Sequence, residues 1–286
     1  MNFYASGIIN MFQEHRVVVV TPAGRQRYLE ALIPQVQSMK EIVDEYRLWV
    51  NTTEESDIRY MQDIAAEDPD FITLEYLPEG VQHSGNMSIH HFFRNCQDPK
   101  TVYVRFDDDI ILLDTQTAFQ DFLQWRIENP QFFLVYGTIL NNAVCSHLLQ
   151  RYGKLDTNRG FAGYACTDAT GWKDPSFAEN VHRQVLSQPD LAYFRPGVNW
   201  YLHLYERVSI NCISWLGTDF AAFGGNVGAD EEQWLSCDMP RILGRMNVIY
   251  GGYACVHYAF FTQRTHLDAT DILDAYISKR SKQSKR

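Results

Sequence analysis

Residues Thr101–Asp114 read TVYVRFDDDIILLD: an apolar run, three consecutive carboxylates and a second apolar run. Val102, Tyr103, Val104 and Phe106 have the β-branched and aromatic character of a buried strand. Asp107, Asp108 and Asp109 follow at once. Adjacent ionised acids between apolar flanks repel one another and need a partner. A divalent cation is a natural one, because Mg²⁺ and Mn²⁺ prefer carboxylate and water oxygens. On an extended backbone, Asp107 and Asp109 would point to one side and Asp108 to the other. The alternative reading is an acidic turn between two strands.

Upstream of this stretch, strand and helix patterns alternate. Residues 16–21 (RVVVVT) read as a buried first strand, bounded by Pro22, Ala23 and Gly24. Tyr28, Leu29, Leu32, Val36 and Met39 recur at helical spacing around Pro34. Strands are expected at 47–51 and 71–77, and helices at 54–66 and 88–96. Such alternation implies parallel pairing in a Rossmann-like sheet, whose ligands bind beyond the carboxyl ends of the strands. Thr21, Asn51 and Asp107 all fall at such ends. Downstream, the pattern predicts a helix capped by Asp114 or Thr115, a strand at 132–140, a long polar loop at 153–175 and a helix at 176–186. Further strands are expected at 208–215, 247–250 and 253–260, and a last helix at 269–277.

Composition narrows the function classes. With 286 residues, 45% of them hydrophobic, the chain can bury one large α/β core. It has no apolar run long enough to span a membrane and no leader pattern in MNFYASGIINMFQEHR. Six scattered cysteines without a CxxC pair indicate a reducing compartment, so a cytoplasmic location is expected. A net charge of −10 disfavours nucleic acid as a substrate. The basic tail at 278–286 is expected to be a disordered end, with weak contact to an anionic membrane surface as its sharper reading.

The order of parts is that of a known family. An opening strand is followed by an hhDDDhh element about a third of the way along. A Gly-rich loop (Gly224, Gly225, Gly228) then precedes the acidic helix start Asp230-Glu231-Glu232, and a lone His257 lies in a late strand. In this order and spacing the chain resembles the GT-A-fold glycosyltransferases over about residues 16–264. The resemblance implies one α/β domain over 1–277, with a Rossmann-like mixed, mainly parallel sheet flanked by helices. Its nucleotide-binding part would span about 16–114 and its acceptor and catalytic part about 131–264.

It further implies that Asp107, Asp109 and His257 hold Mn²⁺ or Mg²⁺ against the donor diphosphate, where a metal neutralises the charge of the leaving group. Asp108 would face the donor ribose or sugar. Thr21, Pro22 and Arg25 would cradle the nucleotide, Asn51 and Glu75 would reach its base, and Arg105 would meet a phosphate or pair with the acidic cluster. Glu232 is expected as the base that deprotonates the acceptor, with Glu231 its neighbour and Asp230 the alternative register. The bland reading of these three acids is helix N-terminal charge complementing the macrodipole. Trp200, Tyr201, Trp215 and Trp234 are candidates for stacking on an acceptor sugar. The implied reaction moves a sugar, with inversion preferred and retention open, from a nucleotide-sugar donor (a UDP-sugar in the expected case) to a hydroxyl of a glycan or lipid-linked saccharide. The alternatives are a nucleotidyltransferase that makes the sugar nucleotide, and a non-catalytic carbohydrate-binding protein.

Overall fold

The computed structural model describes residues 14–203 and 206–283. The amino-terminal half alternates β1 (Arg16–Ala23), α1 (Gln26–Gln37), β2 (Glu45–Val50), α2 (Glu55–Glu67) and β3 (Ile72–Glu75). A 3-10 helix (Ile89–Asn95) leads into β4 (Thr101–Phe106). Val17–Val20 are fully buried between two parallel neighbours, as an unbroken β-branched run requires when both sheet faces are covered. Pro34 lies inside α1, which starts at Gln26 and buries Tyr28, Leu29, Leu32 and Val36.

The remainder comprises β5 (Ile110–Leu113), α3 (Gln116–Glu128), β6 (Val135–Leu140), α4 (Ala143–Arg151), a π turn (Ala169–Lys173), α5 (Pro175–Ser187) and β7 (Trp200–Tyr201). Then come β8 (Cys212–Leu216), α6 (Gly217–Ala221), α7 (Glu231–Gln233), α8 (Met239–Leu243), β9 (Val248–His257), α9 (Phe261–Leu267) and α10 (Ile272–Gln283). The Thr115 hydroxyl caps α3 by accepting from the Ala118 N–H, 3.3 Å away.

The strands form one sheet in the order β3-β2-β1-β4-β8-β6-β9-β5, with β7 also on β9. β1, β2, β3, β4, β6 and β9 run one way and β5, β7 and β8 the other, so the sheet is mixed and mainly parallel. Only Asp107, Asp108 and Asp109 separate β4 from β5, yet three strands lie between these two in the sheet. Four strand spacings in a flat sheet are about 19 Å, whereas four Cα steps reach at most about 14 Å. The sheet must therefore twist and curl until β5 meets the end of β4. β9 makes this possible: it pairs with β6 through Val248–Ile249 and Ala254–Val256 and shifts register between them. At the shift, a Cβ on Gly251 would come within 2.1 Å of the Val198 carbonyl oxygen, so glycine is required. The far end of β9 pairs His257 with Ile110 and so delivers the histidine to the acidic turn.

Several expected boundaries move. β1 runs through Thr21 and Pro22 to Ala23, β8 begins at Cys212, and the two late strands are one. The polar loop at 153–175 contains the π turn, and α9 was not expected. The tail is helical rather than disordered as far as Gln283. Buried Tyr276 bonds His182, and the Lys279 ammonium donates to the carbonyls of Val185, Leu186 and Gln188 at the end of α5. The leader reading at residues 1–13 and the last three tail residues lie outside the described residues. Among the described residues, no helix is long and apolar enough to cross a membrane.

Candidate functional site

The carboxyl ends of β1, β4 and β6 meet the end of β9 around the acidic turn. The Ile110 N–H closes that turn on the Asp107 carbonyl, 3.0 Å away. A turn has no two-residue alternation, so the expected pairing of Asp107 with Asp109 does not form. Asp108 and Asp109, both nearly buried, instead share Arg25. Its guanidinium pairs with both oxygens of Asp108, and its Nη2 lies 3.0 Å from Asp109 Oδ2. The Gly24 N–H adds a bond to Asp108 at 3.1 Å. Asp107 takes a separate set: Arg105 Nε at 2.9 Å, Arg105 Nη2 at 2.8 Å and Asn211 Nδ2 at 2.9 Å. Of the two readings of Arg105, the pairing with acids is the one observed.

Asp109 divides its oxygens. Oδ2 faces Arg25 and, at 3.4 Å, Arg264 of α9, while Oδ1 lies 3.5 Å from His257 Nε2. His257 donates from Nδ1 to the Asn141 carbonyl at 3.0 Å, which leaves Nε2 turned to the carboxylate. Burial alone would push the Asp109 carboxyl up, but Arg25, His257 and Arg264 hold it below the usual carboxylate range. Burial raises the Asp108 carboxyl despite Arg25. Burial acts to lower His257, yet Asp109 raises it above its ordinary value.

Arg105 links the turn to the helix start. Its Nη2 lies 2.9 Å from Glu231 Oε1. Burial pushes Glu231 up to about 7, against the pull of Arg105. Glu231 Oε2 and Arg105 Nη1 are buried and find no hydrogen-bond partner among the described residues. Such orphaned polar atoms mark a place for water or a ligand. The other two acids are tied up differently. Glu232 bonds Arg207 Nε at 2.7 Å, with Cys166 Sγ 3.4 Å away. Asp230 is the helix cap, accepting from the Gln233 N–H at 3.1 Å and from Arg207 Nη1 and Nη2. Glu231, expected only as the neighbour, is thus the acid joined to the turn.

The chemistry of these groups fits a divalent cation in part. No group of three or more His, Cys, Asp or Glu side chains that could hold a metal exists among the described residues. Mg²⁺ is commonly held by one or two protein groups plus substrate phosphates. Asp109 Oδ1 and His257 Nε2 make such a pair, free of the arginines, and the Asn141 carbonyl orients the imidazole as metal ligands require. Asp107 is spoken for by Arg105 and Asn211 and does not join them.

The other expected nucleotide and acceptor residues have structural partners. The Thr21 hydroxyl is buried against the Tyr46 hydroxyl at 3.0 Å, and Pro22 is buried within β1. Asn51 holds the loop after β3, donating to the Gly85 carbonyl at 3.1 Å and accepting from Ser88 at 2.9 Å. Glu75 faces Arg47. A Cβ on Gly225 (φ +63°) would come within 2.6 Å of Phe93 and Arg94 backbone, so this glycine serves packing on the 3-10 helix. Trp215 is fully buried and stacks on Tyr103 at 5.4 Å, which makes it core. Trp234 packs edge-on against Phe223 at 4.9 Å. Arg264, Asn211, Arg207 and Asn141 belong to the site but carry no motif. Asn141 had one faint signal, the Asn-Asn pair ending a strand pattern, and it adopts φ +59° there.

No protein-family model matches the chain, and no curated protein matches it in sequence. Solved structures resemble it in fold. A crystal structure described only as a mycobacterial protein is 12% identical, covers 97% of this chain and 80% of its own, and has a TM-score of 0.51. The 4-diphosphocytidyl-2C-methyl-D-erythritol synthase of Anaerococcus prevotii is 12% identical over 94% of this chain and 98% of its own, with a TM-score of 0.46. The mannose-1-phosphate geranyltransferase of Thermus thermophilus is 12% identical over 93% of this chain and 68% of its own, with a TM-score of 0.39. At such identity the likeness concerns the fold alone.

Proposed function

We propose that the chain is a transferase acting on a nucleotide-linked sugar, and that it moves the sugar from a nucleoside diphosphate to an acceptor hydroxyl. The observation that carries this reading is Glu231: a buried carboxyl raised to about 7, with one oxygen on Arg105 and the other unpartnered beside the acidic turn. A group with that affinity for protons suits removal of a hydroxyl proton near neutral pH. The donor would lie across the carboxyl ends of the sheet. Arg25 and Arg264 would turn from Asp109 toward its phosphates, which guanidinium groups bind through paired donors. Asp109 and His257 would hold Mg²⁺ or Mn²⁺, which when bound neutralises charge on the leaving diphosphate. Arg105 would keep Glu231 oriented and Asp107 clear of the acceptor.

A second reading is nucleotidyl transfer, which would make the sugar nucleotide; a 4-diphosphocytidyl-2C-methyl-D-erythritol synthase is among the structures that resemble this fold. A phosphate nucleophile arrives already ionised, so this reading leaves Glu231 without a role. The two are separated by a thermal-shift screen of nucleotides and nucleotide sugars with and without Mn²⁺, followed by product analysis. Release of free nucleoside diphosphate from a bound nucleotide sugar supports glycosyl transfer. Release of pyrophosphate from a nucleoside triphosphate and a sugar phosphate establishes the second reading and overturns the first. Binding of saccharide with no nucleotide response would leave a non-catalytic carbohydrate-binding protein.

A further inference from the structure

On the loop that reaches Glu232 through Cys166, the chain exposes aromatic rings on a pinned support. The loop after α4 is held by buried Gln150, which donates to the carbonyls of Asp156 and Gly160 and accepts from the Ala162 N–H, each at 2.8 Å. His147 Nδ1 donates to the Ala162 carbonyl at 2.8 Å. On this support Phe161 is 45% exposed and Tyr164 36% exposed. Both meet the His147 ring edge-on, with centroids at 5.2 and 5.4 Å. Half-buried Trp200 extends the row, 5.9 Å from Tyr164, and its indole N–H donates to the Tyr164 hydroxyl at 2.9 Å.

The loop that carries the row runs on to Glu232, the neighbour of Glu231. Two residues beyond Tyr164, Cys166 Sγ lies 3.3 Å from Ser209 Oγ and 3.4 Å from Glu232 Oε1. Exposed rings, one of them carrying the Tyr164 hydroxyl, suit a ligand that is itself amphipathic, with flat C–H faces and a rim of hydroxyls. A net charge of −10 disfavours a polyanion. Hydrogen bonds that order the loop before any ligand arrives reduce the entropy lost on binding. We propose that Phe161, Tyr164 and Trp200, braced by His147, form a binding platform for a neutral saccharide chain, the acceptor end of the site. The acceptor role rests on the glycosyl-transfer reading, but saccharide binding does not.

The test uses the full chain on an array of neutral glycans, with titration of the best binder followed by tryptophan fluorescence. Phe161→Ala and Tyr164→Ala should each weaken binding about tenfold. Tyr164→Phe, which keeps the ring, should retain most of it. The thermal shift with uridine diphosphate should be unchanged in all three. Absence of any bound neutral glycan overturns the proposal, as does binding that both Ala variants leave intact. Sedimentation showing a dimer that Tyr164→Ala dissolves would assign the rings to self-association and overturn it as well. A lost uridine diphosphate response with glycan binding intact would sink only the glycosyl-transfer reading.

Discussion

Replacing Glu231 by Gln keeps shape and hydrogen-bonding capacity but removes the titrating carboxyl. General base catalysis contributes typically 10²–10⁴-fold, so turnover should fall about 10³-fold with donor binding preserved. In the wild type, kcat/KM should rise with pH through about 7, because only the carboxylate accepts a proton. The same group leaves a mark on stability. Its ordinary value is 4.5 and the folded chain raises it to about 7, so the fold holds this proton more tightly than the unfolded chain does. Stability from this source is therefore fully present below pH 4.5 and declines as pH rises to about 7, by about 3 kcal/mol in all. Glutamine has no proton to lose, so urea midpoints measured on either side of that window should converge in the variant. Arg105 keeps Asp107, which limits any general loss of stability. Activity within about threefold of wild type, or an unchanged pH slope of stability, would refute the assignment of this acid.

The remaining predictions concern the turn. His257→Gln and Asp109→Asn should each weaken the Mn²⁺-dependent part of the nucleotide thermal shift by at least about tenfold, whereas Asp107→Asn should leave it within a few-fold. Equal loss in all three would restore Asp107 to the ligand set. Arg25→Ala leaves Asp108 with only the Gly24 N–H and should cost about 3 kcal/mol, or about 5 °C in Tm. Acidification should recover part of that loss as Asp108 takes up a proton, since burial already raises its carboxyl. A Tm unchanged in calorimetry would show that the buried acids do not depend on this arginine.

Local patterns carried much of this fold. The RVVVVT run could only be a strand covered on both faces, and the acid triplet between apolar runs marked both the end of β4 and the centre of the site. The helical pattern at 54–66 placed α2 within a residue at each end. At Gly225 composition could not show that the close approach is to the Phe93 and Arg94 backbone, because a close approach to backbone and one to a ligand leave the same trace in sequence. Trp215 shows the same ambiguity: an indole in a strand can be core or platform, and only its stacking on Tyr103 and Phe220 decides. Arg264 and Asn211 were invisible because they reach the acids from 155 and 104 residues away, across elements whose proximity no spacing encodes.

What the chain's order of residues determined was most of the strands, the parallel amino-terminal half and the identity of the charged turn, because periodicity and turn chemistry act between near neighbours; β7 and the joining of the two late strands into β9 came only with the fold. Which acid pairs with which base was decided only by the curl of the sheet. It brings β5 and the end of β9 to β4, places His257 rather than Asp107 beside Asp109, and sets Glu231 rather than Glu232 against Arg105. Buried charges take the nearest partner, and nearness is a property of the folded chain.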